Sequence, residues 1–141
     1  MTSDRMARSY LAQAAYRLEE VQRAIERAQY ATAVRRSQEA VELALKAALR
    51  AAGVEPPHWH DVGEVLLANV SRLHPTLQAV ADGLARISAD LRQDREAAFY
   101  GDEVSGRGPD ELYGLPDASQ AQADAGFVVE RVRQALAAVD A

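Results

Sequence analysis

The chain has no cysteine in its 141 residues. That absence excludes disulfides, thiolate zinc sites and cysteine nucleophiles, and it fits a reducing cytoplasm. Glycine does not occur before Gly53, and all five prolines lie beyond it, so nothing in the N-terminal third breaks a helix. Lysine is nearly missing too: of the 16 basic residues only Lys46 is not arginine, a bias that carries no mechanism. No apolar run approaches the roughly 18 residues a membrane span requires, and Met1-Thr2-Ser3-Asp4-Arg5 does not read as a secretory leader. The expectation is a soluble, cytoplasmic protein without membrane contact. The net charge of −5 argues against general coating of nucleic acid, which needs many cations to neutralise phosphates. A local basic site is still allowed. At this length residues 1–141 form one domain, able to bury roughly two-thirds of the unfolded surface around a single core.

The residues present are periodic. Tyr10, Ala14, Leu18, Val21, Ile25 and Ala28 paint one stripe on a first helix of about 25 residues, with Thr2, Ser3 or Asp4 as its N-cap. A second helix starts at Tyr30 to Thr32 and runs to Ala52, stopped by Gly53, with Val34, Val41, Leu45, Ala48 and Ala52 facing inward. Its stripe has a polar interruption at Ser37 and Gln38, which must be satisfied internally or line an opening. Pro56-Pro57 forces a loop. A short third helix follows from Asp61 to Leu73, and Pro75 opens a fourth that carries Leu77, Val80, Leu84, Ile87 and Leu91 on to Tyr100. Residues 101–116 hold four of the eight glycines and two prolines, a long loop expected to pack through Leu112, Tyr113 and Leu115. Asp117 to Val139 forms the last helix. Strand-like alternation and internal repeats are absent, so the fold class is all-α, a bundle of about five helices.

Few residue patterns suggest chemistry. His58, His60 and Asp61 flank Trp59 but lack helical i, i+4 ligand spacing and a further ligand, so no metal is assigned. Asp61 is better placed to start the third helix, and Trp59 to plug the end of the bundle. Phosphate loops and nucleophile triads are not recognisable. Glu19 with Arg23 and Glu42 with Lys46 have the spacing of solvated helical pairs.

The fourth helix is the exception. One more step of four along its apolar stripe lands on Arg95, within Arg95-Glu96-Ala97-Ala98-Phe99-Tyr100-Gly101-Asp102-Glu103. Arginine there either meets solvent and the last carbonyls of the helix, or forms an anion site with Tyr100, whose ring stacks and whose hydroxyl donates. On an ideal helix the two lie roughly 7.5 Å apart along the axis and about 140° around it. Convergence would require the helix to unwind near Gly101, or a second subunit.

Taken in order, the long first helix, Ser37-Gln38-Glu39-Ala40-Val41-Glu42-Leu43-Ala44-Leu45-Lys46-Ala47-Ala48-Leu49, the Pro-Pro loop into His60-Asp61, and Arg95 through Glu103 resemble the HEPN domains (higher eukaryotes and prokaryotes nucleotide-binding), small stand-alone type. The resemblance spans nearly the whole chain. It implies an up-and-down bundle and a homodimer with the Arg95 segment in a cleft between subunits. A minimal nucleotidyltransferase is the implied partner, a nucleotide or RNA the implied ligand, and no cofactor is implied. Several members are metal-independent RNA endonucleases of toxin–antitoxin or defence systems, with histidine shortly after the arginine. Here Glu96 to Phe99 intervene and Tyr100 stands at the histidine position; no histidine follows His74. A tyrosine of ordinary pKa near 10 moves protons poorly at neutral pH. The leading expectation is therefore a binding module with Arg95, Tyr100, Asp102, Ser37 and Gln38 as ligand contacts, Asp102 orienting Arg95 or Tyr100. The alternatives are a ribonuclease toxin with Arg95 and Tyr100 as its catalytic residues, and a non-catalytic structural or interaction dimer; for dimerisation itself the chain adds a hint in Ala12, Ala15 and Ala31, small residues beside the stripe that would pack closely in an interface.

Overall fold

The computed structural model describes residues 2–58 and 61–140; Trp59, the expected plug, and His60, expected with Asp61 to start the third helix, lie outside the described residues. The described chain is an all-α bundle. The one β-type pairing among the described residues is an isolated antiparallel bridge between Asp102 and Arg107.

Helix α1 (Thr2–Glu26) and α2 (Tyr30–Ala51) form an antiparallel hairpin. Because α1 already includes Ser3 and Asp4, neither is the cap that the sequence suggests. Ala28 leaves the helix and takes a left-handed φ of 58°, reversing the chain where glycine would be the easier residue. Ala14 and Val21 are fully buried from the predicted α1 stripe, joined by Ala7 and Ala24.

Helix α2 is the axis of the molecule, packed against α1, the C-terminal helix and four of the shorter helices between them. Leu45, Leu49, Val34 and Val41 are fully buried within it. A helix touched on so many sides needs short residues for close approach, which Ala33, Ala40, Ala44, Ala47 and Ala48 supply. Its end is closed by the amide of Val54 donating to Leu49 O at 2.9 Å, with Gly53 at φ 77°, the left-handed stop that the sequence predicts. Ser37 resolves the polar interruption inside the fold: it is completely buried, and its hydroxyl donates to Ala33 O at 2.8 Å.

The expected third and fourth helices are both divided. Helix α3 (Val62–Ala68) begins where the Asp61 carboxylate accepts from Gly63 N at 2.9 Å and gives way to a 3₁₀ turn, Val70–Arg72. Helix α4 (Pro75–Gln78) is capped by His74, whose ring Nδ1 accepts from Thr76 N. A turn at Ala79 and Val80 precedes α5 (Ala81–Gln93), and Asp94 separates α5 from α6 (Arg95–Tyr100). The apolar stripe survives these breaks, with Leu77, Leu84 and Leu91 buried at a constant spacing of seven residues, two helical turns that return each leucine to nearly the same face.

The long connection contains a one-turn helix, α7 (Pro109–Leu112), and α8 (Leu115–Asp140) begins two residues earlier than the sequence reading placed it. Tyr113 packs against the core, whereas Leu115 is exposed, so the loop is anchored by its tyrosine. Ala118, Ala125, Val128 and Val132 seat α8 against α1 and α2. Ala31 belongs to the core, leaving Ala12 and Ala15 exposed on α1. No helix among the described residues is long and apolar enough to cross a membrane.

Candidate functional site

Where α6 lies across α2, the two helices enclose a cleft of about 540 Å³ lined by Arg35, Glu39, Arg95, Glu96, Phe99 and Tyr100. The spacing within each helix explains the set. Arg35 and Glu39 are one turn apart on α2, as are Arg95 with Phe99 and Glu96 with Tyr100 on α6, so each pair shares a strip of surface. Helix α6 stays intact through Tyr100. Arg95, Phe99 and Tyr100 all line the cleft, and no unwinding brings Arg95 and Tyr100 there. The break at Asp94 makes Arg95 the first residue of a new helix instead of the last turn of the old one.

The charges in the cleft are unequally free. Glu39 is held by Arg36 at 2.8 Å and by Arg17 at 3.0 Å; Arg17 and Arg36 also reach Glu20. This four-residue set is neutral and joins α1 to α2. It leaves Arg35 and Arg95 without a carboxylate partner among the described residues. Arg35 instead lays its guanidinium over the Phe99 ring, 4.5 Å from the centroid, and its buried Nε has no hydrogen-bond acceptor. Phe99 meets Tyr100 edge-on, centroids 4.5 Å apart at 62°. Both rings face solvent, 51% and 70% exposed. Two unpaired guanidinium groups from separate helices beside two open rings suit a planar ligand that carries an anionic group.

Three residues proposed from sequence stand elsewhere. Ser37 is sealed in the core by its bond to Ala33 O, and Gln38, 7% exposed, does not line the cleft. Asp102 orients neither Arg95 nor Tyr100: its carboxylate accepts from Val104 N at 3.0 Å and folds the turn after α6. Hydrogen bonding to Ser105 first, then to the Val104 backbone, and the nearby Arg107 hold its pKa below the usual carboxylate value. Sequence reasoning missed Arg35, Glu39 and Phe99. An Arg-x-x-x-Glu pair on a helix looks like a solvated face until a second helix crosses it, but the exposed aromatic pair Phe99-Tyr100 at a helix end was a usable signal.

A second depression of about 820 Å³ adjoins the first and shares Glu96 and Tyr100 with it. At its edge the Tyr113 hydroxyl donates to Asp94 Oδ1 at 3.1 Å, tying the loop to the junction of α5 and α6. Burial first, then the charge of Asp94, push the Tyr113 pKa well above that of a free tyrosine. No group of three His, Cys, Asp or Glu among the described residues could hold a metal ion.

An all-helical bundle whose central helix is crossed by a short arginine-led helix defines the class of protein, and comparison with known families agrees. The family model for the HEPN domain matches residues 7–139, so the chain belongs to the HEPN family, and at that level it is a nucleotide- or RNA-related module. Neither the curated proteins nor the solved structures gave a match.

Proposed function

We propose that this HEPN protein is a nucleotide- or RNA-binding module that acts as a homodimer beside a minimal nucleotidyltransferase. The carrying observation is the pair of guanidinium groups, Arg35 and Arg95, that share a cleft without forming an ion pair among the described residues, while Glu39, one of the two acids that line it with Glu96, is already held by Arg17 and Arg36. Unpaired cations at a concave surface attract an anion, and guanidinium forks match phosphate oxygens in pairs. The Phe99 and Tyr100 rings give a base something to stack on. A cleft of about 540 Å³ has the size of a small-ligand site. Arg35 and Glu39 take the place of Ser37 and Gln38 as the contacts from α2.

The test is a fluorescence-anisotropy titration with a labelled mononucleotide and a labelled single-stranded RNA. Arg95→Ala weakens binding at least about tenfold, the 1.4 kcal/mol or so of one charged hydrogen bond. An unchanged isotherm removes Arg95 from the site. Light scattering on a gel-filtration peak gives about twice the 15.3 kDa chain mass; a peak at the chain mass rejects the dimer.

A further inference from the structure

Two clefts of different charge meet at Glu96 and Tyr100. The first offers Arg35 and Arg95 beside Glu39, which Arg17 and Arg36 already hold, and the shared Glu96. The second, under α6 and the turn that follows it, is lined by Asp94, Glu96, Asp102, Glu103 and Asp117 and by no lysine or arginine. Several of these carboxylates are engaged as acceptors: Asp117 from Gly114 N at 2.9 Å, Asp94 from the Tyr113 hydroxyl, Asp102 from Val104 N. Accepting a hydrogen bond does not remove a carboxylate's negative charge. The opposite side of the first cleft is different, because the Arg17, Glu20, Arg36 and Glu39 set on α1 and α2 is neutral.

A nucleotide inside a strand has a phosphate on either side and needs two exits. A nucleotide that is free, or is the last of a strand, needs at most one. A backbone phosphate led past Tyr100 enters a cleft lined by these carboxylates, and with a Debye length of about 10 Å at 0.1 M salt the repulsion inside it is not screened away. Over α1 and α2 a strand meets no such barrier.

We infer that the arginine cleft accepts a free nucleotide or the terminal nucleotide of a strand and refuses an interior one, because the acidic cleft beyond Tyr100 closes one of the two exits. This rests on the nucleotide-binding reading above and narrows it to a ligand class.

The experiment is competition against a fluorescent mononucleotide, using unlabelled mononucleotide, a linear single-stranded RNA of about 20 nucleotides, and the same RNA ligated into a circle, which has no end. Wild-type protein and Glu103→Lys are compared at low salt. Glu103 lines only the acidic cleft and sits on the exposed turn after α6, so the substitution alters charge without opening the core. Mononucleotide and linear RNA compete, the circle is at least about tenfold weaker, and Glu103→Lys narrows that gap about threefold or more, an effect that fades as salt rises. A circle that competes as well as the linear strand overturns the inference and leaves the binding reading standing. So does a gap that Glu103→Lys leaves unchanged, since the circle would then be refused for its shape. Failure of the fluorescent mononucleotide and of both RNAs to bind overturns the reading on which the inference rests.

Discussion

The guanidinium carbon of Arg35 lies 4.5 Å from the centre of the Phe99 ring, a contact that ties α2 to α6 without using a carboxylate. A guanidinium stacked on a ring keeps its N–H edge available in the plane, so one side chain both braces the cleft wall and presents donors to a ligand. Glu39, one turn along α2, does not compete for it because Arg17 and Arg36 already hold that carboxylate.

Replacing either member of this pair therefore separates its two contributions. Arg35→Ala loses the charge and the brace, and weakens nucleotide binding about tenfold. Phe99→Leu keeps the charge but frees the guanidinium, costing the roughly 0.5–1 kcal/mol of an exposed cation–π contact, about threefold in affinity. Titration calorimetry of both variants checks the order. Equal losses would mean that Arg35 acts only through its position on Phe99.

Tyr100 occupies the position where a histidine would stand in the RNA-cleaving pattern, five residues past Arg95, and its ring is open to solvent at the cleft. The wild type is expected to leave single-stranded RNA intact. Tyr100→His supplies a group with a pKa near 6.5 at a site already held by Arg95, and gel assays with and without chelator detect metal-independent cleavage that rises through that pKa. Cleavage by the wild type that Arg95→Ala abolishes would reverse this assignment and make the protein a ribonuclease.

Much of the fold is legible in the sequence because burial is periodic. Leu84, Leu91, Val41, Leu45 and Val132 occupy the inward positions that their spacing predicts, and Gly53 ends α2 as glycine ends helices. The divisions at Val80 and Asp94 leave no such mark. Neither is glycine or proline, and Asp94 is fixed in part by Tyr113, a residue 19 positions away, a tertiary effect that no local pattern carries. The site was half legible. Arg95 stood out by breaking an apolar stripe, but Arg35 looks like any solvated helical cation until α6 crosses over it. Ser37 misled for the opposite reason, since a hydroxyl that bonds its own helix one turn back, to Ala33 O, can sit in a core without a ligand.

The turn after α6 is predicted to respond to acid through Asp102. Its carboxylate is held ionised by Ser105 and by the Val104 backbone, so its folded pKa lies below the ordinary value. A depressed folded pKa contributes stability that is present above the unfolded pKa, near 4, and is lost as pH falls through the folded value. The Val104 amide resonance, followed by NMR between about pH 6 and pH 2, should titrate with a midpoint below 4 and stop titrating in Asp102→Asn. A midpoint at or above 4 would show that the carboxylate does not fold the turn.

Gly101 is the residue on which the end of α6, and with it the placement of Tyr100, depends. Its φ of 80° and ψ of −160° fall in a region that is essentially closed to residues with a side chain. A Cβ there would lie 2.4 Å from Arg107 O, and that carbonyl is already committed, accepting from Asp102 N at 2.8 Å. The obstacle is backbone on both counts, so it cannot swing aside as a flexible side chain would. Gly101→Ala is expected to cost about 2–3 kcal/mol, and to lower the thermal midpoint by roughly 6–12 °C for a domain of this size. Gly83 provides the contrast. It lies inside α5 with nothing within 4 Å of an added Cβ, so Gly83→Ala removes chain entropy from the unfolded state and gains up to about 1 kcal/mol. Differential scanning calorimetry should move the two midpoints in opposite directions. If Gly101→Ala melted at or above the wild type, the turn would tolerate a side chain, and the position of Tyr100 would have to be fixed by its contact with Phe99 alone.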